Sequence, residues 1–289
     1  MTLEGIGGFV SNIYVLKIFK KACGVGMFIR KRLLLLYFAV AALLVALMMV
    51  AGNPVFSKDR ELRLQFADNF ISYAVDDENG AVFNLFAVQD VRNRNVPLED
   101  LITLVQFANP NIEVVDFKVD TGMVHKGYKL VNLRLTARVL TDELERDNKL
   151  KIWFGNEKTA TYRFGELVVQ NGTGFQDGHF VPTGSYTAAY PSAGLDVRIK
   201  NISGQEATGL KIEDLSGEIT HLFEGDVKIG PGKVEHFEIE GYGETEYDFA
   251  TITPILSYQL GGQEYSSYMP GVLYGAMLTD KEKIEKILE

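Results

Sequence analysis

Val131-Asn132-Leu133-Arg134-Leu135-Thr136-Ala137-Arg138-Val139 alternates apolar and polar side chains without a break. Successive side chains of a strand point to opposite faces, so a period of two predicts a strand with one face buried and the other in water. The rhythm recurs downstream. Leu195, Val197 and Ile199 alternate with Asp196, Arg198 and Lys200; Leu210 and Ile212 alternate with Lys211 and Glu213; Phe237 and Ile239 flank Glu238. Half-exposed strands belong to antiparallel sheets, because strands of a parallel sheet are apolar on both faces. The expectation is a mainly β body of antiparallel strands.

Turn chemistry points the same way. Asn79-Gly80, between Ile71–Val75 and Ala81–Val88, carries the two-residue hairpin signal that needs positive φ at both positions, and Gly261-Gly262 does the same between Ile252–Leu260 and Gln263–Tyr268. Gly155-Asn156 is expected to turn Leu150–Phe154 back into Thr159–Phe164, and Gly230-Pro231-Gly232 to separate Val227–Ile229 from Val234–Ile239. Short strands with frequent turns predict β-sandwiches. The boundary between two of them is placed near Phe164-Gly165-Glu166, giving domains at 60–165 and 166–277. Pro97 to Val105 reads equally as a short helix or a strand. At the end, Thr279-Asp280-Lys281-Glu282 has capping-box spacing and Ile284, Ile287 and Leu288 follow on one face, which predicts a helix over 279–289. A helix that short is marginal alone and must dock or fray.

Upstream lies Leu33–Ala51, 19 residues without a charge, amide or proline, between Arg30-Lys31-Arg32 and Gly52-Asn53-Pro54. As a helix it would rise roughly 28 Å, close to the ~30 Å of a bilayer's hydrocarbon. The expectation is a single transmembrane signal-anchor at 33–51, with cleavage after a mediocre small-residue site at Val50-Ala51-Gly52 as the competing reading. Six bases precede the segment, so residues 1–32 are expected in the cytoplasm and the body outside the membrane. Residues 1–26 are either a short cytoplasmic helix or an over-long start, with Met27 as the alternative beginning.

The chain has 29 Lys and Arg against 38 Asp and Glu; removing Glu4 and the six bases of residues 1–52 leaves 23 basic and 37 acidic residues, a net of −14. Nucleic acid as a partner is excluded on that balance, because binding phosphates needs a basic face. The single cysteine, Cys23, precedes the apolar segment, so the body has no internal disulfide and no thiolate metal site.

From Leu195 the chain runs to Asn201-Ile202-Ser203-Gly204, then Ala207 to Asp214, then Val227-Lys228-Ile229-Gly230-Pro231-Gly232, then Tyr258 and Tyr265 around Gly261-Gly262. This stretch resembles the CARDB-type and related immunoglobulin-like domains of prokaryotic surface proteins, in which an N-x-G loop joins two strands and a PG turn precedes a facing strand. The likeness covers about residues 190–270. It implies an immunoglobulin-like fold, a surface location and a role in adhesion or protein interaction, and it brings no catalytic residues. The subtype of the first domain stays open.

Candidate chemistry is sparse. His125, His179, His221 and His236 have no metal-ligand spacing and read as solvated surface residues; Asp177-Gly178-His179 sits in a loop without a Ser or Cys nucleophile context. Asp76-Asp77-Glu78-Asn79-Gly80 lacks the first and twelfth ligands of a calcium loop. Glu244, Glu246 and Asp248, with Glu238 and Glu240 nearby, form a weak candidate set for Ca²⁺. Asn171-Gly172-Thr173 and Asn201-Ile202-Ser203 are formal glycosylation sequons. Tyr258, Tyr265, Tyr268 and Tyr274 cluster around the last hairpin, Tyr258 by alternation in the core. The resulting expectation is a membrane-anchored, non-catalytic envelope protein that binds or assembles through sandwich surfaces. A pilin-like filament subunit and a cleaved, secreted carbohydrate-binding or enzyme accessory domain are the alternatives.

Overall fold

The computed structural model describes residues 64–75, 80–92, 96–155, 157–175, 178–184 and 194–289. The expected membrane segment at 33–51 and the cytoplasmic segment before it lie outside them. Among the described residues no helix is long and apolar enough to cross a membrane.

The body is mainly β. One four-stranded antiparallel sheet has the order β1 (Leu64–Phe66), β3 (Ala81–Asp90), β6 (Tyr128–Val139) and β5 (Ile112–His125). Its residues Leu133, Leu135 and Ala137 are buried while Arg134 and Arg138 are exposed, as the alternation of Val131–Val139 requires. Facing it is a six-stranded sheet in the order β17 (Val272–Tyr274), β14 (Phe249–Ile252), β2 (Asn69–Val75), β8 (Thr159–Asn171), β7 (Glu145–Phe154) and β4 (Ile102–Phe107). Pro97–Val105 resolves as a turn at Leu98–Leu101 running into β4, with Leu98 fully buried at the corner. A second pair of sheets packs around its own core: β13 (Val234–Glu240), β10 (Gly194–Asn201) and β9 (Phe180–Pro182) against β12 (Thr220–Leu222), β11 (Ala207–Glu213), β15 (Ile255–Leu260) and β16 (Gln263–Tyr268).

Two expectations need correction at the six-stranded sheet. β14 pairs with β2, and β2 with β8, in parallel, so the body is not built of antiparallel pairings alone. The reason is burial on both faces. Ile71, Val75, Leu167 and Val169 pack into the first core, while Phe70 and Val168, from the same two strands, pack into the second. Nor do β2 and β3 pair as the hairpin expected on either side of Asn79-Gly80: they belong to different sheets, and Asn79 itself lies outside the described residues. The hairpin at Gly261-Gly262 forms, with φ of 59° and 85° and Leu260 opposite Gln263. So does the return from β7 to β8, with Trp153 opposite Thr159.

The boundary expected at 165/166 falls inside β8, and the second pair of sheets is an insertion. After it, β14 and β17 return to the first module's sheet and hold the β15–β16 hairpin between them. The chain closes with α1 (Asp280–Leu288), whose capping box is present: Glu282 N donates to Thr279 Oγ1, and Thr279 N donates to Glu282 Oε2 at 2.8 Å. The helix docks on the outer face of the first sheet, where Ile284 and Ile287 meet Ala67, Phe86, Val88, Leu130 and Phe249.

Asn69 and Gly165 fix the crossing of β2 and β8. Buried Asn69 donates from Nδ2 to Ala67 O (2.8 Å) and Phe164 O (3.0 Å) and accepts from Phe86 N (3.1 Å), so one side chain ties three strands. Gly165 has φ of 103°, and a Cβ there would overlap the backbone N and O of Asn69. Replacing Gly165 with Ala should therefore cost about 2–4 kcal/mol through strain and overpacking. Chemical denaturation would show it, and an unchanged midpoint would refute it.

The helix should also respond to acid. Thr279 holds the Glu282 carboxyl below its usual pKa of 4.5, and Lys126 and then His125 do the same for Glu285. The folded state thus binds fewer protons, so this stabilisation is present above the unfolded pKa and lost as pH falls through the folded values. Amide protection over 280–288 should drop ahead of the sheets between pH ~5 and ~3; a helix as protected at the lower pH as at neutrality contradicts this.

Candidate functional site

The insertion's larger sheet has one face against its core and one open. Leu256, Tyr258 and Leu260 of β15 alternate inward, which leaves Ser257 and Gln259 facing out. Register carries the outward row across the sheet: Leu222 on β12, Lys211 on β11, Ser257 on β15 and Ser266 on β16 are cross-strand partners in sequence, with Gln259 and Glu264 beside them. Lys211 Nζ lies 2.8 Å from Glu213 Oε2, Ser257 Oγ donates to Glu213 Oε1 at 3.1 Å, and the Ser257 and Ser266 hydroxyls are 3.2 Å apart. With the loop of Phe223 to Val227 along one side, these groups line a depression of about 670 Å³. Leu222 is 68% exposed at its rim. Chemically the face presents an ammonium, carboxylates, hydroxyls and an amide together on neighbouring strands.

Behind it sits an aromatic cluster. The His179 Nδ1 is 3.0 Å from the Tyr258 hydroxyl, which is 3.2 Å from Ser267 Oγ; His179 also packs edge-on to Tyr265 at 4.7 Å, and Phe180 edge-on to Tyr258. The expectation of a solvated His179 is corrected, because the ring is half-buried between tyrosines. Tyr258 is core, as alternation predicts. The His–Tyr–Ser chain fastens the 178–182 segment to the last hairpin, with Tyr258 and Ser267 both buried.

A second polar constellation joins the insertion to the shared sheet. Asp214, 2% exposed, accepts at Oδ2 from the Ser72 hydroxyl (2.9 Å), Ser216 N (2.8 Å) and the Ser216 hydroxyl, and at Oδ1 from Ile219 N (2.9 Å). Ser72 Oγ in turn accepts from Leu215 N at 3.0 Å. A buried carboxylate needs such a shell of donors. Beside it, burial and then the charges of Asp214 and Glu213 push the Tyr242 hydroxyl well above its usual pKa. Tyr247 stacks on Phe70 at 4.9 Å and donates to Glu166 Oε2 at 2.9 Å, again linking insertion to sheet.

The acidic candidates do not converge. Glu244 and Glu246 are exposed on the turn before β14. Asp248 points elsewhere: its Oδ2 accepts from Asp68 N at 3.0 Å and its Oδ1 lies 3.9 Å from Lys286, with burial raising its pKa. Among the described residues no group of three or more His, Cys, Asp or Glu side chains is placed to hold a metal ion. Residues 76–79 and Asp177 lie outside the described set. His125 bridges to Glu285 at 3.0 Å, His221 packs edge-on to Phe223 at 4.8 Å, and His236 pairs with Asp196 at 2.7 Å on the face opposite Phe237. Tyr268 is exposed and Tyr274 lies under Lys286 at 6.0 Å. The Asn201 sequon is occupied by structure, because fully buried Asn201 donates from Nδ2 to Ile229 O (2.7 Å) and Gln205 O (2.8 Å).

Sequence reasoning placed Lys211 and Glu213 outward but did not join them to Ser257 and Ser266. Alternation shows which way a side chain faces; only register shows which outward residues become neighbours.

No protein-family model matches the chain, and no curated protein matches it by sequence. Solved structures similar to it include an alpha-2-macroglobulin of Salmonella at 10% identity and a TM-score of 0.24, covering 75% of this chain and 15% of that one. The D0-D1 domain of intimin is 11% identical with a TM-score of 0.22, covering 73% and 97%. Dimeric latent PorU from Porphyromonas gingivalis is 11% identical with a TM-score of 0.23, covering 77% and 21%.

Removing the Asp214 carboxylate strands the Ser72 and Ser216 hydroxyls and the amides of Ser216 and Ile219. Asp214→Ala should cost about 3–4 kcal/mol, and Asp214→Asn, which keeps one acceptor, about 1–2 kcal/mol. Denaturant titration of the two variants checks the order, and equal stability of Asp214→Ala and the parent refutes the clasp.

Proposed function

We propose that this chain is a membrane-tethered, non-catalytic envelope protein whose immunoglobulin-like insertion binds a partner outside the membrane. The observation that carries it is the polar row Lys211–Ser257–Ser266, which is held side by side on neighbouring strands and faces away from the core among the described residues. Support for the tether comes from the apolar run Leu33–Ala51 with its basic flank, and from a body of net charge −14 that carries no cysteine. The CARDB-like spacing of Asn201, Pro231 and the last hairpin favours the same reading of the insertion. No metal or cofactor is needed for it.

The test uses the full chain with Cys23→Ser and Leu222→Cys, expressed in bacterial cells. A membrane-impermeant maleimide should label intact spheroplasts, and the protein should stay with the membranes after a carbonate wash. Labelling only after lysis, or release by carbonate, overturns the topology. A photo-crosslinking residue at Ser266 should give a discrete heavier adduct that weakens at least several-fold with Lys211→Glu. An adduct indifferent to Lys211 overturns the assignment of the face.

A further inference from the structure

The six-stranded sheet ends in β4, β7 and the first half of β8, and its outer face there is turned away from the first core. Leu150, Ile152 and Phe154 of β7 point inward, so Lys149, Lys151 and Trp153 point outward. On β8, Ala160 and Tyr162 pack on the core while Thr159, Thr161 and Arg163 are exposed. Register sets the outward side chains in rows: Trp153 opposite Thr159, Lys151 opposite Thr161 with Gln106 of β4 on its other side, and Lys149 opposite Arg163.

Three cations and no acid occupy these rows, in a body where acids outnumber bases 37 to 23. Glu157 stands on the turn beyond one end, and at the other Arg146 and Glu166 neutralise each other at 2.5 Å. Among the described residues no carboxylate lies within ion-pair distance of Lys149, Lys151 or Arg163. Lys151 Nζ instead rests over the Trp153 ring, 4.5 Å from its centroid. Strands ~5 Å apart, with ~7 Å between alternate residues, put the three charges within about one Debye length, so they act on an anion together.

Such a face suits an anion that also offers contacts to Trp153, Gln106 and the threonine hydroxyls. Sugar rings do so: they present an apolar face to the indole, and their hydroxyls exchange hydrogen bonds with hydroxyls and amides. A lipid surface would need apolar side chains to insert, and Leu104, opposite Trp153 and 41% exposed, is the single aliphatic one on these rows.

We propose that this face binds an acidic polysaccharide, with the carboxylates of its uronic-acid units on Lys149, Lys151 and Arg163 and its sugar rings against Trp153. The face belongs to the first module and involves none of Lys211, Ser257 and Ser266, so it is independent of the insertion's partner.

Trp153 is the chain's one tryptophan, so its fluorescence reports on this face directly. The full chain in a mild neutral detergent is titrated with an oligogalacturonate, with a neutral galactan of the same length, and with polyphosphate. The oligogalacturonate should change the emission saturably, with an affinity that falls several-fold between about 50 and 200 mM salt as counterions are released; the galactan should leave the emission unchanged. Lys149→Glu and Arg163→Glu, both at exposed positions, should each weaken binding about fivefold or more. Lys233→Glu, the same charge change at an exposed position of the insertion, should leave it unaltered. No emission change with the oligogalacturonate, an equal response to polyphosphate, or equal weakening by Lys233→Glu overturns the assignment.

Discussion

The structure depends on one pair of strands that are buried on both faces. β2 and β8 run parallel at the centre of the six-stranded sheet, and their adjacent residues part to opposite sides, Ile71 to the first core and Phe70 to the second, Val169 to the first and Val168 to the second. Each buried aliphatic or aromatic side chain contributes about 1.5–3 kcal/mol to the layer it enters. Loosening this pair would open both cores at once. That double duty explains why a single compact unit spans the body even though it contains two cores.

Polar groups specify the crossing that apolar burial drives. The Asn69 side chain donates two hydrogen bonds and accepts a third from neighbouring segments, Gly165 is required by the close approach of the Asn69 backbone, and Asp214 reaches Ser72 across from the insertion. Each would be costly if mispaired, so each selects this register over its neighbours. The price of that specificity is intolerance: the same positions admit few substitutions. The row on β11, β15 and β16 is built differently, with hydroxyls and an ion pair on the face turned away from the core.

Much of the local structure was legible in the sequence. Alternation located the exposed and buried sides of β6, β10, β11 and β13, diglycine located the last hairpin, and the capping box located α1, because each of these is decided by residues near one another in the chain. The organisation was not legible for the opposite reason. Asn69-Phe70-Ile71-Ser72-Tyr73-Ala74-Val75 is apolar at most positions on both faces, which is the mark of a central strand, yet the Asn79-Gly80 that follows suggested a hairpin. Tertiary pairing with β14, which begins 180 residues later at Phe249, overrode that local signal. Likewise no pattern in 166–277 marks it as an insertion whose flanks return to the first sheet. The candidate face was half legible: its outward positions followed from alternation, its neighbours from register alone.

Both cores meet on the β2–β8 pair, so the shared sheet is the claim to test. Native-state hydrogen exchange measures the opening free energy of each amide and its dependence on denaturant. Amides of Ile71 and Val168 should be among the slowest, and those of Leu133 in the first core and Tyr258 in the second should merge with them into one global opening. Two separate openings, with the Tyr258 region exchanging while Leu133 and Ile71 stay protected, would contradict the account.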